Sequence, residues 1–277
     1  MCLITFSYKQ HQQYPFILVA NRDEFYQRES AAMTLWPTDN SILAGQDLTQ
    51  MGSWLGLHKS GRFSAVTNFR QKAATTMAKP LSRGHLVSKS LASDQSMHSY
   101  LTQLAVTKQH YGAYNLLCAD NNGLYFSNNH SPSQKLDCAK NTLDNQAVAD
   151  DFIKLSAGLY GLCNATLDTP WPKLTNAKRD LEQLINNGDI TLDTLKQLLN
   201  SSDTAPEHKL PNTGIDKSWE RALSAQFINL DSYGTRAKTI ILQRQDGFTQ
   251  ICEARYDSNG FTGESVFELQ IPIIGER

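Results

Sequence analysis

The chain opens with MCLITFSY, which places a cysteine directly after the initiator methionine. Cellular removal of that methionine is expected when a small residue follows it, and it would make Cys2 the first residue of the mature chain. Cys2 would then carry a thiol and a free α-amine, and the amine is a candidate general base for the thiol. The alternative is that Cys2 is a small buried residue of a strand. Which interpretation holds depends on what lies beside it.

A row of polar residues follows the second apolar run, where VANRDEF carries Asn21, Arg22, Asp23 and Glu24. The polar segment between LITFSY and FILVAN predicts a hairpin, so the end of the second strand should lie beside Cys2. Side chains alternate along a strand, so Asn21 and Asp23 are predicted to face one way. Arg22 and Glu24 then face the other. Asp23 is predicted to orient the amine of Cys2, whereas an ordinary turn is the alternative interpretation.

Three more polar clusters lie at the ends of apolar runs. AVTNFR carries Asn68 and Arg70, GLCNATLDTPWP carries Asn164, and YGTRAKT carries Arg236. Asparagine amides at such places can donate hydrogen bonds to a developing oxyanion. Taken one at a time they more often satisfy a turn or cap a helix. Their combination with a cysteine at position two favours a functional site.

Predicted strands at both ends of the chain, with helices between them, must position these residues. Apolar spacing predicts a helix over 93–108, and a proline-rich start predicts another that ends at Gly188. ITLDTLKQLLN predicts a shorter helix, and SSDTAPEHKLPNTGID a surface loop. The predicted strands and hairpin partners are LITFSY, FILVAN, ILAGQD, SWLGLHK, RFSAVTNF, YNLLCAD, GLYFSNN, a strand near 157–163, QFINL, TRAKTIILQ, TQICEARY and SVFELQIPII. Strands from both ends are expected to share one core, which predicts a single α+β domain over 1–277.

Composition restricts the function classes. The 277 residues include 26 Lys and Arg against 27 Asp and Glu, a net charge of -1, with no basic stripe that would predict nucleic-acid binding. The apolar runs are too short for a membrane span, and the start lacks a signal peptide pattern. Five scattered cysteines without a CxxC pair predict free thiols and no zinc site. We therefore expect a cytoplasmic protein.

The motifs MCLI, NRDEFY, LAGQDL…GSWLGL, TNFR, SRGHL, NATLDTPWPK and YGTRAKT together resemble the NRDE protein family, from residue 1 to about residue 243. The eukaryotic members of that family are known as transport and Golgi organisation protein 2 homologues. The layout is also similar to the choloylglycine hydrolase and penicillin V acylase group of N-terminal nucleophile hydrolases. That resemblance implies a four-layer α/β/β/α sandwich and cleavage of a non-peptide amide by a mature N-terminal cysteine. The catalytic positions it implies are Cys2, Asp23, Asn68, Asn164 and Arg236, with Asn21 beside them. The group has an arginine one residue before that asparagine, where this chain has Ala20.

Members of the NRDE family have been linked to intracellular haem trafficking, so the resemblance also implies a carrier. Non-covalent haem, as cargo, is the cofactor this implies, since the chain has no CxxCH motif for covalent attachment. No iron ligand stands out among the seven histidines; His58, beside Trp54, and His85, within a family motif, are the candidates. The predicted ligand-binding residues are Asn21, Arg22, Glu24, Trp54, His58, Arg70 and His85. Binding and trafficking of haem or a related carboxylate-bearing hydrophobic ligand is the first functional hypothesis, and amide hydrolysis is the alternative.

Overall fold

The computed structural model describes residues 2–70, 80–130 and 151–276, and of Cys2 it describes the backbone only. Within these residues the chain forms thirteen strands and five α-helices. The strands are β1 (Cys2–Tyr8), β2 (Phe16–Phe25), β3 (Ser30–Trp36), β4 (Asp39–Asp47), β5 (Leu55–His58), β6 (Phe63–Asn68), β7 (Tyr114–Asp120), β8 (Gly123–Asn128), β9 (Phe152–Lys154), β10 (Gly158–Leu162), β11 (Tyr233–Gln243), β12 (Phe248–Asp257) and β13 (Gly260–Gln270). The helices are α1 (Gly84–Ala92), α2 (Met97–Thr107), α3 (Pro172–Asn187), α4 (Leu192–Lys196) and α5 (Lys217–Ala222).

The strands form two antiparallel sheets. Sheet I has the order β10-β1-β2-β11-β12-β13, and sheet II runs β3-β4-β5-β6-β7-β8-β9. Sheet I therefore joins strands from both ends of the chain, as the sequence predicts. Its centre is the pair β2 and β11, which are separated by about two hundred residues yet run side by side from Phe25 and Tyr233 to Phe16 and Gln243.

Three apolar layers hold the sheets and helices together. Residues such as Phe6, Leu18 and Ile241 of sheet I pack with Leu57, Phe63 and other residues of sheet II, which places one core between the sheets. A second core joins the outer face of sheet I to α3 and α4. A third joins the outer face of sheet II to α1 and α2. The predicted four-layer α/β/β/α sandwich is confirmed.

Helix α3 shows how closely local sequence sets an element. Pro172 occupies its first turn, where a missing N–H is harmless. Gly188 ends it in the left-handed conformation, with φ 71° and its N–H donating to the carbonyl of Ile185. Leu174, Ala177 and Leu181 turn toward sheet I. The predicted end at Gly188 is confirmed.

The predicted strand QFINL is wrong. Its backbone is hydrogen-bonded to a loop and not to a neighbouring strand, since the N–H groups of Gln226 and Phe227 both donate to the carbonyl of Ser201. An isolated bridge joins Asn229 to Gly234. An apolar run of this length fits a strand or a packed turn equally well, so periodicity alone does not separate them. Strands β3 and β9 and helices α1 and α5 were not predicted.

Other sequence predictions concern single features. Cys118, Cys163 and Cys252 are free, as expected, and they are buried, whereas Cys138 lies outside the described residues. No helix in the described ranges has both the length and the apolar character needed to cross a membrane.

Candidate functional site

The hairpin of β1 and β2 brings the start of the chain beside the NRDE segment. The backbone of Cys2 is paired with that of Arg22, and Leu3 with Asn21. On its other side β2 pairs with β11, where Asp23 lies opposite Thr235. The structure describes the backbone of Cys2 and not its side chain, so the nucleophilic role of the Cys2 thiol stays a prediction.

Asn21 and Asp23 both point from sheet I toward the helices. The amide nitrogen of Asn21 donates to the carbonyls of Leu199 and Gln226, each at 2.9 Å. The hydroxyl of Thr235 donates to Oδ1 of Asp23 at 2.7 Å. Asn21 therefore anchors two loops of the helix layer, and Asp23 is a carboxylate held in a fixed direction.

Asp23 is only 1% exposed, and this burial raises its pKa, because water no longer stabilises the charge. The Lys173 ammonium acts in the opposite direction, as does the Thr235 hydroxyl. Lys173 is itself buried in the first turn of α3, where its Nζ donates to the carbonyl of Leu223 at 2.9 Å. The Asp23 carboxylate and the Lys173 ammonium therefore place opposite charges in the interior behind β2, and each partly offsets the charge of the other.

Arg22 faces the opposite way, into the space between the sheets. Its guanidinium carbon lies 4.3 Å from the centre of the Trp54 ring, and the residue is 6% exposed. Gly45 leaves room for that ring, since a Cβ there would come within 2.4 Å of Trp54 Cζ2. The predicted alternation between Arg22 and its two neighbours is confirmed.

A cleft of about 420 Å³ opens on this side of β2. Its walls come from the end of β2, the loop before β5, the end of β6 and the segment that leads into α1. The lining residues are Arg22, Asp23, Glu24, Arg28, Asp47, Gln50, Ser53, Trp54, Val66, Asn68, Pro80, Leu81, Ser82, Arg83, Gly84 and Gly112.

Two glycines explain how separate motifs form one wall. Gly52 of GSWLGL lies so close to Gly84 of SRGHL that a Cβ on Gly52 would be 2.5 Å from the Gly84 carbonyl carbon. The Ser53 N–H also donates to the Gly84 carbonyl at 3.2 Å. Next to this contact Arg28 donates two hydrogen bonds to the carboxylate of Asp47, at 3.1 and 2.6 Å. Backbone contact and ion pair together hold the loop beside α1.

Asn68 lines the cleft, whereas Asn164 and Arg70 support it from behind. The Asn164 amide donates to the carbonyl of Asn68 at 2.9 Å, and the Arg70 N–H donates to the carbonyl of Asn164 at 2.7 Å. The Arg70 guanidinium makes an ion pair with Glu220 of α5 at 2.6 Å and lies 5.2 Å from the Trp171 ring centre. These contacts fix the end of β6.

Besides Asn21, Asn164 and Arg70, three further residues predicted for the site do not line the cleft. Arg236 occupies the bulge in β11, between Thr235 and Ala237, and donates to the carbonyls of 25, 26, 28 and 256. His58 lies at the far end of β5, with Nδ1 2.7 Å from the Ser60 hydroxyl, and burial lowers its pKa. His85 is beside the wall, with Nε2 2.8 Å from the carbonyl of Gln50.

Sequence reasoning missed four groups that the fold places here. Thr235 and Lys173 both lie inside quoted motifs, YGTRAKT and NATLDTPWPK, so the motifs were a signal for them. Arg83 lies in SRGHL and Asp47 in LAGQDL. Their partners come from distant parts of the chain, which is why spacing could not assign them.

The described residues contain no group of three His, Cys, Asp or Glu side chains suited to a metal ion. The described lining of the cleft likewise includes no histidine, tyrosine or cysteine side chain. The charged residues of this lining are three arginines and three carboxylates.

A family model described as Transport and Golgi organisation 2 matches residues 1–258. The human Transport and Golgi organization protein 2 homolog (Homo sapiens) is 31% identical over 278 residues, covering 91% of this chain and 92% of that protein. The bovine homolog (Bos taurus) is 30% identical over 272 residues, with the same coverage. Among solved structures, a mutant of conjugated bile acid hydrolase from Clostridium perfringens is similar, with 10% identity, a TM-score of 0.42, and coverage of 98% of this chain and 92% of that one.

Proposed function

We propose that this chain, which belongs to the Transport and Golgi organisation 2 family, binds and carries a small carboxylate-bearing hydrophobic ligand in the cleft beside Arg22. Haem is the first cargo we propose. The observation that carries the proposal is the buried guanidinium of Arg22, stacked on Trp54 and facing a cleft of ligand size.

The position of Arg22, and not the net charge of the cleft, is what favours an anion here. Arg28 is bonded to Asp47 and lies 3.9 Å from Glu24, so these two carboxylates already engage its charge. Among the charged side chains near Asp23, the Lys173 ammonium behind the sheet lowers its pKa most, and Arg22 acts in the same direction. The Trp54 ring stacks on the face of the Arg22 guanidinium, whereas a carboxylate binds at the edge of that plane. A carboxylate can bind a guanidinium through two parallel hydrogen bonds, which makes Arg22 a suitable anchor.

Apolar groups beside this anchor suit a hydrophobic body. Trp54, Val66, Pro80 and Leu81 line the cleft, and Leu81 is 46% exposed. For haem, Arg22 and Arg83 would bind the propionates, and the Trp54 ring would contact the macrocycle. Because the described lining offers no histidine, tyrosine or cysteine to the iron, contacts to the propionates and macrocycle would dominate. Such binding is exchangeable, as a carrier requires.

Haem titration followed by the Soret band tests the proposal. Wild-type protein should saturate, and Arg22→Gln should weaken binding about 10-fold or more, because a hydrogen bond to a charged group contributes about 1.5–3 kcal/mol. Arg83→Gln, at a less buried position, should weaken it in the same direction. Arg244→Gln is the matched control, since Arg244 pairs with Asp246 on an exposed turn.

Circular dichroism must show that each variant is folded. A linear, unsaturable response of the wild-type protein would contradict the proposal. So would an affinity of folded Arg22→Gln and Arg83→Gln equal to that of Arg244→Gln.

Amide hydrolysis is the second candidate, favoured by the pairing of Cys2 with Arg22 at the edge of the same cleft. After loss of Met1, the Cys2 amine would act as base for its thiol, and Asp23 would orient that amine. Asn68 would donate to the oxyanion. Asn164 and Arg236 would act as supports, since their observed bonds go to backbone carbonyls.

The intact mass of the purified, untagged protein tests this candidate first. Loss of one methionine is expected if Cys2 is the nucleophile. Turnover of a panel of acyl amides should then vanish in Cys2→Ala and persist in Cys252→Ala, whose buried thiol lies on β12. Retention of Met1, or a wild-type protein inert on the whole panel, would rule this candidate out.

A further inference from the structure

A second cavity, of about 260 Å³, lies on the far side of Trp54. It is enclosed by the start of β3 from sheet II and by β11, β12 and β13 of sheet I. Its lining residues are Ser30, Ala31, Ala32, Trp54, Arg236, Ala237, Glu253, Arg255, Tyr256, Asp257 and Thr262. Trp54 also lines the cleft, so its ring is the wall that the two spaces share.

The second cavity contains a buried carboxylate with one oxygen unused. Glu253 is 1% exposed, and its Oε1 accepts a hydrogen bond from the Met33 N–H at 2.7 Å. Among the residues that the structure describes, no donor bonds to its Oε2. Burying a polar atom without a partner is unfavourable, since the atom has lost its bonds to water. A donor group placed in the cavity would restore that bond.

The arginines around the cavity do not use this oxygen. Arg236 is engaged with four backbone carbonyls. Arg255 donates to the Ser265 hydroxyl at 2.8 Å, and its Nη1 lies 3.8 Å from Oε1 of Glu253, beyond hydrogen-bond distance. Oε2 is therefore the acceptor that remains for a ligand.

The shared wall is held by packing. The indole N–H of Trp54 is buried, and within the described ranges no acceptor bonds to it. The ring lies against Gly45 and under Arg22. A carboxylate binds at the edge of the Arg22 guanidinium while the Trp54 ring covers its face, so a ligand bound to Arg22 lies against the ring that separates the two spaces.

We propose that the second cavity is the subsite for the far end of the cleft's ligand, and that the ligand class is an elongated carboxylate with a hydrogen-bond donor at its distal end. This inference rests on the proposed function. The carboxylate binds Arg22, the hydrophobic body runs along Trp54, and the distal hydroxyl or N–H donates to Glu253.

Three unbranched probes test this inference by titration calorimetry: dodecanoate, its ω-hydroxy derivative and its ω-methoxy derivative. Wild-type protein should bind the hydroxy acid about 10-fold more tightly than dodecanoate, as expected for one hydrogen bond to a carboxylate. The methoxy acid, which has no donor, should show no such gain. In Glu253→Gln the gain should fall to about two-fold, since a neutral amide replaces the carboxylate. Glu264→Gln is the control, because Glu264 lies on β13 and pairs with Lys196 at the surface.

The outcomes separate this inference from the proposed function. The inference is overturned if the ω-hydroxy acid binds no more tightly than dodecanoate, or if its advantage is equal in Glu253→Gln and Glu264→Gln. Binding of dodecanoate that depends on Arg22 would still uphold the proposed function. Saturable haem binding by a protein that binds none of the three probes also overturns the inference and upholds the proposed function. Probes that bind folded Arg22→Gln as tightly as wild type overturn both.

Discussion

The charged side chains at the end of β2 divide between two environments. Asp23 points toward α3, where Lys173 and Thr235 stabilise its ionised form against burial. Arg22 points between the sheets, where Trp54 is its closest aromatic partner. Strand alternation produces this division, and it separates the carboxylate of the hydrolase hypothesis from the guanidinium of the carrier hypothesis.

The partly buried ring of His130 is expected to make the stability of the protein depend on pH. Its ring stacks on Phe69 with 3.4 Å between ring centres, and Nε2 lies 2.9 Å from Oδ1 of Asn115. The Asn115 amide nitrogen donates to the carbonyl of Ala165, so Oδ1 is the acceptor and His130 donates through Nε2. Burial lowers the pKa of His130 from 6.5 to about 4.

A folded-state pKa below the unfolded value means that folding favours the neutral ring. The corresponding stability is present above pH 6.5 and is lost as the pH falls toward 4. Wild-type protein should therefore lose about 1–2 kcal/mol more than His130→Gln over this interval, allowing for residual contact with solvent. Urea unfolding at several pH values measures both. Parallel curves for the two proteins would contradict the assignment.

At the scale of elements, the cleft depends on contacts between segments that lack regular structure. The loop before β5 meets the start of α1 through Gly52 and Gly84, and β11 carries a bulge at Arg236. The bulge releases Arg236 from the alternation of its strand. Its guanidinium is then able to hold the carbonyls that follow β2.

Gly52→Ala should disrupt the wall that these segments form. Its methyl group would overlap the Gly84 backbone, which cannot move aside as a flexible side chain can. We expect a loss of about 1–3 kcal/mol in the free energy of unfolding and weaker haem binding. Gly112→Ala is the matched control in the same cleft, because its new methyl group would meet its nearest neighbour at 3.8 Å. Equal effects of the two substitutions on unfolding and on haem titration would show that the Gly52 contact does not shape the site.

For the whole molecule, the core between the sheets joins residues from both ends of the chain. Phe6, Ile241 and Ile274 share it with Leu57 and Leu117 of sheet II. Neither sheet retains an apolar partner for its inner face if the other unfolds, so the fold should be lost in one step.

Single-tryptophan variants test this cooperativity. A variant that keeps only Trp54 reports on sheet II, and one that keeps only Trp171 reports on the start of α3 against sheet I. In each variant the urea midpoint from fluorescence should equal the midpoint from far-ultraviolet circular dichroism. A difference above about 0.5 M within one variant would indicate two units that unfold separately.

The features of this protein that its sequence predicts correctly are those set by local chain geometry. The period of two along β2 separates Arg22 from Asn21 and Asp23, and the glycine after α3 ends that helix. The motifs also identified the family and, through it, the fold. These inferences hold because they depend on neighbours in the chain.

The tertiary structure alone decided which polar groups share a space. Arg236 lies in a one-residue bulge and therefore does not line the cleft. The segment QFINL, predicted as a strand, is instead a packed turn whose N–H groups bond to the carbonyl of Ser201. Thr235 meets Asp23, and Glu253 lines a cavity that shares Trp54 with the cleft, because distant strands pair in one register. Such contacts join residues up to about two hundred positions apart, and their geometry follows from the packing of the two sheets.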